Sequence, residues 1–238
     1  ELSLGWHQLL STTDDLNEAM ANQLLTDCGI PMNPCQLVND EQSLLDASKK
    51  MEYPLVLKTA VSYIKHKSEC DGVVLNIQSK EALKEAYLNL SQRLGKPAIV
   101  SPMVNSFGVE MILGMVNDSQ FGPFVVVGFG GIYAEALNDT CVLHPPFDCD
   151  TVDRALDQLS MRALLDGLRG RPAVNMQCYC EIAARFSVFV TEFADSIGEI
   201  DINPMLVTEN GCIGLDALII LKNTASLREA SGENSRDE

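Results

Sequence analysis

Polar side chains interrupt two apolar segments near the C-terminal end of the chain. The segment EIDINPMLV places Glu199, Asp201 and Asn203 at alternating positions, and Asp216 lies among the aliphatic residues of the next segment, IGLDALII. Because alternate side chains of a β-strand share one face, the three oxygen-bearing groups should point the same way. Carboxylate and amide oxygens from adjacent strands suit Mg²⁺, which completes its coordination with water and phosphates. Two interpretations stay open here, a magnesium site and a polar strand face that meets solvent.

A second group of polar residues, in the N-terminal half, is cationic. Lys58 ends the apolar segment PLVLKTA, and Lys65, His66, Lys67 and Ser68 follow in a short polar stretch. Ammonium groups and the free backbone N–H groups of a polar loop together favour an anion such as phosphate. The alternative is a solvated basic loop with a lysine that snorkels from an exposed strand end.

The composition excludes several functional classes. The chain has 238 residues, 46% hydrophobic content and a formal net charge of −16. No apolar run reaches the roughly 18 residues of a spanning helix, and no basic region with a cleavage site opens the chain. The negative charge disfavours binding to nucleic acid. We therefore expect a cytoplasmic protein with no membrane or nucleic-acid partner. GFGGIY lacks the last glycine of a dinucleotide fingerprint, and the chain has no P-loop.

The pattern of segments predicts an α+β protein of two lobes with a ligand groove between them. Strand and helix segments alternate up to Lys96, beginning with a helix that Asp14 or Asp15 should cap. Strand segments then follow one another, including IYAEAL, before helices near 150–165 and 176–190 and a closing hairpin. The predicted divisions are an N-terminal extension (1–13), a smaller lobe with a preceding helix (14–98), a larger lobe (99–221) and a disordered C-terminal tail (222–238).

Taken in order, several segments resemble the ATP-grasp domain of NDP-forming acyl-CoA synthetases and, more remotely, the β subunit of succinyl-CoA synthetase. The resemblance covers about residues 15–220, and it implies an ATP-grasp fold with a nucleotide cleft between the two lobes. The segments are YPLVLKTAVSYIKHKSECDGVVLNI, VSPMV, GVEMILGM, QFGPFVVVGFGGIYAE, LLDGLRGRP and EIDINPMLV with CIGLDALI.

The resemblance also implies roles for individual residues. Lys58 resembles the lysine that contacts the ATP phosphates, and residues 66–72 resemble the loop that closes over them, with His66 similar to a histidine proposed to receive phosphate. The expected nucleotide-binding residues are Lys58, Lys67, Ser68, Gly72, Ser101, Pro102, Met103, Val104 and Glu110, of which Ser101 to Val104 would contact adenine. The expected Mg²⁺ ligands are Asp201, Asn203 and Asp216.

Enzymes of this family convert ATP, a carboxylic acid and CoA into acyl-CoA, ADP and phosphate, through an acyl phosphate and a phosphohistidine. The resemblance therefore implies an ADP-forming acid–CoA ligase that uses Mg²⁺ and ATP. The CoA-binding part and its phosphohistidine carrier would belong to a separate domain or an α subunit.

Two positions depart from the family pattern. Asp71-Gly72 stands where the family usually has a Gly-Gly pair. The Asp71 carboxylate would repel ATP, and the loss of a glycine would stiffen the closing loop. Ser101 stands where glutamine is common, although backbone contacts to adenine need no particular side chain. Asp71 favours an alternative function, a non-catalytic nucleotide- or ligand-sensing module such as the corresponding domain of a protein acetyltransferase.

Overall fold

A computed structural model describes residues 2–61, 64, 67, 70–131 and 138–222. Within these residues, helices and strands form two antiparallel sheets with helices packed on them. None of the described helices combines the length and the apolar character that crossing a membrane requires. The mixed content agrees with the predicted fold class.

The smaller sheet contains the first four strands and is covered by two helices. Its strands are β1 (Gln36–Val38), β2 (Leu55–Thr59), β3 (Val73–Ile77) and β4 (Ala98–Pro102), in the order β1-β4-β2-β3. Helix α3 (Glu41–Ser48) begins with a capping box between Asp40 and Ser43, and Ser79 caps helix α4 (Lys80–Leu94). The apolar face of α4 packs into the core of this sheet with Leu83, Tyr87 and Leu90, as its helical periodicity predicts.

The strands of the larger sheet are β5 (Gly108–Asp118), β6 (Gly122–Phe129), β7 (Thr140–Leu143), β8 (Ile197–Thr208), β9 (Cys212–Gly214) and β10 (Ala217–Leu221). They follow the order β10-β8-β5-β6-β7, with β9 also pairing with β8. Two helices, α5 (Cys149–Leu156) and α6 (Met176–Glu192), belong to this half, and a short 3₁₀ helix spans Arg162–Leu164. The helix predicted near 150–165 is thus shorter, because Asp157 already ends α5.

The N-terminal part differs from the expectation in two ways. A helix, α1 (Leu2–Leu10), lies where the sequence has no clear period, because Trp6 packs against the larger core and donates to Asp27 at 2.9 Å. Tertiary contact thus stabilises a helix too short to form alone. Helix α2 (Glu18–Asp27) is capped by Asn17, which accepts from Met20 N at 3.1 Å, so the predicted aspartate cap is wrong.

The sheets do not divide where the predicted lobes do. Strand β4 pairs with β1 and β2, so residues 99–102 belong to the smaller sheet, whereas α2 packs into the core of the larger half. The four predicted divisions stay predictions about domains. The predicted strand IYAEAL lies outside the described residues. Of the predicted tail, only Lys222 is described, and its backbone N–H donates to Ser196 O at 2.9 Å.

Candidate nucleotide and metal site

Strand β8 presents its polar residues on one face and its aliphatic residues on the other. Ile200 and Ile202 are buried in the larger core, while Asp201 and Asn203 are partly exposed on the opposite face. Asp201 lies opposite Leu218 of β10, and Asn203 N donates to Asp216 O at 3.3 Å. The register of the closing hairpin therefore brings Asp216 next to Asn203, as the sequence pattern predicts.

Two lysines from the smaller half reach this hairpin. Lys58, in β2, places its Nζ 2.7 Å from Leu215 O, 3.5 Å from Asp216 Oδ2 and 3.3 Å from Glu18 Oε1. Lys67 Nζ lies 3.0 Å from Asp216 Oδ1 and also bonds Glu18 Oε2. Lys58, Lys67, Glu18 and Asp216 thus form a neutral arrangement of two ammonium and two carboxylate groups, which we call the four-charge cluster.

Charge and burial act in opposite directions within the four-charge cluster. Burial raises the pKa of Glu18, and the Asp216 charge raises it further, although both lysines oppose this. Burial also disfavours the ionised form of Asp216, but Lys58 and Lys67 outweigh it and hold the pKa of Asp216 below its usual value. Burial disfavours the charged form of Lys67, yet Asp216 and Glu18 outweigh it and raise the pKa of Lys67. Asp216 is therefore the stronger acid of the pair.

Asp201 lies beside the four-charge cluster, but within the described part of the chain no lysine or arginine forms an ion pair with it. Its Oδ1 is buried, and no described group of the protein donates a hydrogen bond to it. Burial first, and then the charges of Glu199 and Asp216, raise the pKa of Asp201 to about 6. An unpaired buried carboxylate next to further acids favours a bound cation, because a cation offsets both the desolvation and the repulsion.

The donor set fits Mg²⁺ in chemistry, although its three members are not assembled as a finished coordination shell. Asp201, Asn203 and Asp216 supply only oxygen, the ligand type that Mg²⁺ prefers, and Mg²⁺ needs few protein ligands. Among the described residues, no three His, Cys, Asp or Glu side chains converge as a metal cluster. Asp216 faces the two lysines instead, so a metal ion bound there would share this carboxylate with the ammonium groups.

The amide of Asn203 is oriented by the turn that follows β6. Gly131 N donates to Asn203 Oδ1 at 2.8 Å, which leaves this oxygen a second lone pair for another partner. Gly131 has φ +58°, and a Cβ built there would lie 1.7 Å from Glu110 Oε2. The close approach requires glycine, and it places the Glu110 carboxylate on the same side of β5 as this turn.

The closing loop is described only in part. His66 and Ser68 lie outside the described residues, whereas Lys67 is in the four-charge cluster. Gly72 N donates to Lys67 O at 2.7 Å, and a Cβ on Gly72 would lie 2.7 Å from the same oxygen, so the loop returns too closely for a side chain. Asp71 has φ +51°, a left-handed conformation that suits the glycine usual in the family.

A cavity of about 410 Å³ lies over these groups. Lys67, Asp201, Asn203 and Asp216 line it, together with the start of α2 and the aliphatic residues of β10. The expected adenine segment, residues 101–104, is not part of its lining. Two backbone groups of that segment are already bonded, since Met103 N donates to Pro54 O at 2.8 Å and Pro102 O accepts from Asn33 Nδ2 at 2.9 Å. Adenine would exchange these bonds or use other groups there.

Glu18 is the functional candidate that sequence reasoning missed. It is the first residue of α2, where an acid is expected simply because it favours the helix N-terminus. Its side chain is nevertheless only 6% exposed and contacts both lysines. In the sequence, Glu18 is marked only by its position directly after the helix cap, Asn17. An acid at that position is already explained by the helix N-terminus.

Comparison with known proteins identifies the class. The family model of the ATP-grasp domain matches residues 8–221. The chain belongs to the ATP-grasp family.

Its relatives include ADP-forming acid–CoA ligases. The β subunit of acetate–CoA ligase (ADP-forming) I from Pyrococcus furiosus is 32% identical over 213 residues, which cover 87% of this chain and 91% of that subunit. A trans-feruloyl-CoA synthase of an unknown prokaryotic organism is 31% identical over 214 residues, which cover 86% of this chain and 30% of the synthase. This chain therefore spans less than a third of the longer relative and nearly all of the separate β subunit.

A solved structure gives the same result for the fold. The acetyl-coenzyme A synthetase 1 of Ca. Korarchaeum cryptofilum, in complex with coenzyme A and Mg-AMPPCP, matches with a TM-score of 0.79 and 27% identity. The match covers 92% of this chain and 98% of that chain. In that complex the phosphohistidine segment points towards the nucleotide binding site.

Proposed function

We propose that this chain is the ATP-grasp component of an ADP-forming acyl-CoA synthetase, and that it binds Mg-ATP in the cleft beside the four-charge cluster. The observation that carries the proposal is that Lys67, Asp201, Asn203 and Asp216 line one cavity. Lys58 does not line this cavity, but its ammonium group lies 3.5 Å from Asp216 Oδ2. The relatives are named as an acid–CoA ligase and an acyl-CoA synthase, which supports catalysis. A module that only senses a ligand is not favoured.

Each residue group has a distinct role in the proposed reaction. Lys58, held by Leu215 O, would donate to phosphate oxygens and neutralise the charge that moves during phosphoryl transfer. Asp201, Asn203 and Asp216 would hold the metal, with the Asn203 amide oriented by Gly131 N. A bound Mg²⁺ supplies Lewis-acid stabilisation of the phosphate oxygens.

The expected nucleotide and phosphate-acceptor residues remain part of the proposal. Ser101 to Val104 would contact adenine, and Glu110 would lie near the nucleotide. His66 would receive phosphate within this chain, with Lys67, Ser68 and Gly72 around it. The His66→Ala variant should then lose phosphorylation by ATP, measured with radiolabelled nucleotide, whereas undiminished labelling would remove His66 from the mechanism.

The remaining steps need a second component. A CoA-binding part that carries the phosphohistidine, either another domain or an α subunit, would bring the carboxylic acid and CoA. The coverage of the relatives supports this arrangement, because the match covers 91% of a separate β subunit and only 30% of a longer synthase.

Calorimetric titration with Mg-ATP and Mg-ADP tests the proposed function. We expect the parent protein to bind both nucleotides and Asp216→Ala to bind them much more weakly, since it loses a metal ligand and a partner of both lysines. Asp166→Ala is the matched control, because Asp166 also pairs with a cation, Arg162 at 2.7 Å, but outside the cleft. No binding by the parent protein would overturn the proposal.

A further inference from the structure

Glu18 is the most buried member of the four-charge cluster and has no role in the proposed function. Its side chain is 6% exposed, compared with 11% for Lys58, 18% for Lys67 and 27% for Asp216. Its two carboxylate oxygens contact different lysines, Oε1 facing Lys58 and Oε2 facing Lys67. Glu18 therefore bridges the two ammonium groups, and it lines the same cavity as Lys67 and Asp216.

Metal binding at Asp216 conflicts with the contacts of the cluster. Lys67 Nζ lies 3.0 Å from Asp216 Oδ1 and 3.3 Å from Oδ2, and Lys58 Nζ lies 3.5 Å from Oδ2. A divalent cation on Asp216 would be repelled by these two positive charges unless another carboxylate offsets them. Glu18 is that carboxylate, and Leu215 O gives Lys58 a further acceptor at 2.7 Å.

We propose that Glu18 is a positioning residue that shares the ammonium groups of Lys58 and Lys67 with Asp216, offers them a second carboxylate when a metal ion binds Asp216, and so sets the divalent-metal dependence of nucleotide binding. The inference rests on the proposed function. Without the Glu18 charge, Asp216 is the one carboxylate left among the described contacts of the two lysines, which then compete there with the metal. At the same time, anionic phosphates lose a nearby negative charge that repels them.

The two consequences have opposite signs, which separates positioning from a general structural role. In Glu18→Gln, we expect ATP to bind several-fold more tightly in the presence of EDTA than it binds to the parent protein. The factor by which Mg²⁺ increases ATP affinity should be about tenfold smaller than in the parent protein, which is the effect of one nearby charge. Mn²⁺ alone, followed by its electron paramagnetic resonance signal, should bind about tenfold more weakly.

Two further variants complete the test. Glu41→Gln is the matched control, because Glu41 is also the first residue of its helix and pairs with Lys84 at 2.5 Å, but lies outside the cleft lining. It should leave both ATP measurements unchanged. Glu18→Asp keeps the charge on a shorter side chain, and we expect it to lower the gain from Mg²⁺ by only two- to threefold.

Each remaining outcome counts against the proposal. If Glu18→Gln weakens ATP binding equally with and without Mg²⁺, Glu18 is only structural. If the gain from Mg²⁺ is unchanged, the lysines do not compete with the metal. Should Glu18→Gln fail to fold, as judged by circular dichroism, an unchanged gain in Glu18→Asp likewise rules out the competition. Failure of the parent protein to bind Mg-ATP is a different result, because it overturns the proposed function itself.

Discussion

Replacing Asp201 by asparagine should make the ligand-free protein more stable while it weakens metal binding. The pKa of Asp201 is raised to about 6 by burial, Glu199 and Asp216, against an ordinary value of 3.8. This difference corresponds to at most about 3 kcal/mol against the ionised, folded form. Because Asp201 keeps some exposure, solvent screening reduces the effect, and we expect a gain of about 1 to 2 kcal/mol at pH 8.

The pH dependence has a definite sign. A raised folded-state pKa favours the folded protein below pH 4, and this contribution is lost as the pH rises through about 6. The stability gain of Asp201→Asn should therefore be about 1 kcal/mol smaller at pH 5 than at pH 8. Carboxyls whose pKa is lowered stay ionised in this window and cancel between the two proteins, namely Asp40, Asp46, Asp118 and Asp148.

Urea unfolding followed by far-ultraviolet circular dichroism at both pH values measures these free energies. The matched comparison is Glu199→Gln, which removes an exposed charge from the same strand face and leaves the buried charge of Asp201 in place. Its gain in the free energy of unfolding at pH 8 should be smaller than that of Asp201→Asn. If Asp201→Asn is less stable than the parent protein at pH 8, or shows no dependence on pH, the buried carboxylate is not strained as we argue.

Three other substitutions test neighbouring features. Lys58→Met should weaken Mg-ATP binding by about 30- to 100-fold in calorimetry, the effect of a lost charged hydrogen bond, and unchanged binding would contradict the phosphate role. Gly131→Ala should lower the free energy of unfolding by about 1 to 2 kcal/mol, because its Cβ would meet Glu110 and its φ is +58°; a parent-like denaturation curve would refute this. Asn17→Ala should cost about 1 kcal/mol in thermal unfolding through the lost bond to Met20 N, and Asn17→Ser should restore most of it, whereas equal loss in both would argue against capping.

Local patterns in the sequence predicted the parts of the fold that depend on local periodicity. The alternation around Asp201 and Asn203 predicted the polar face of β8, since the period of two fixes which side chains share a face. The spacing of Leu83, Tyr87 and Leu90 predicted the buried face of α4 for the corresponding helical reason. The position of Lys58 at the end of a buried strand likewise indicated an unusual lysine.

Features created by contacts between distant segments could not be predicted in this way. Glu18 and Lys58 are 40 residues apart, and no pattern in the sequence specifies that the first turn of α2 meets the end of β2. Helix α1 escaped prediction because Trp6 gains its partner only when α2 is packed beside it. The position of β4 in the smaller sheet follows from its pairing with β1 and β2, which the order of segments does not determine.

The neutrality of the four-charge cluster bears on how quickly an anionic ligand arrives. Its two ammonium groups are already matched by carboxylates, so they add little positive potential at a distance, and the whole chain carries a formal charge of −16. Encounter with a triphosphate should therefore be slowed by repulsion, and added salt should speed association by shielding like charges. Nucleotide already complexed with a divalent ion carries less charge and should enter the faster of the two.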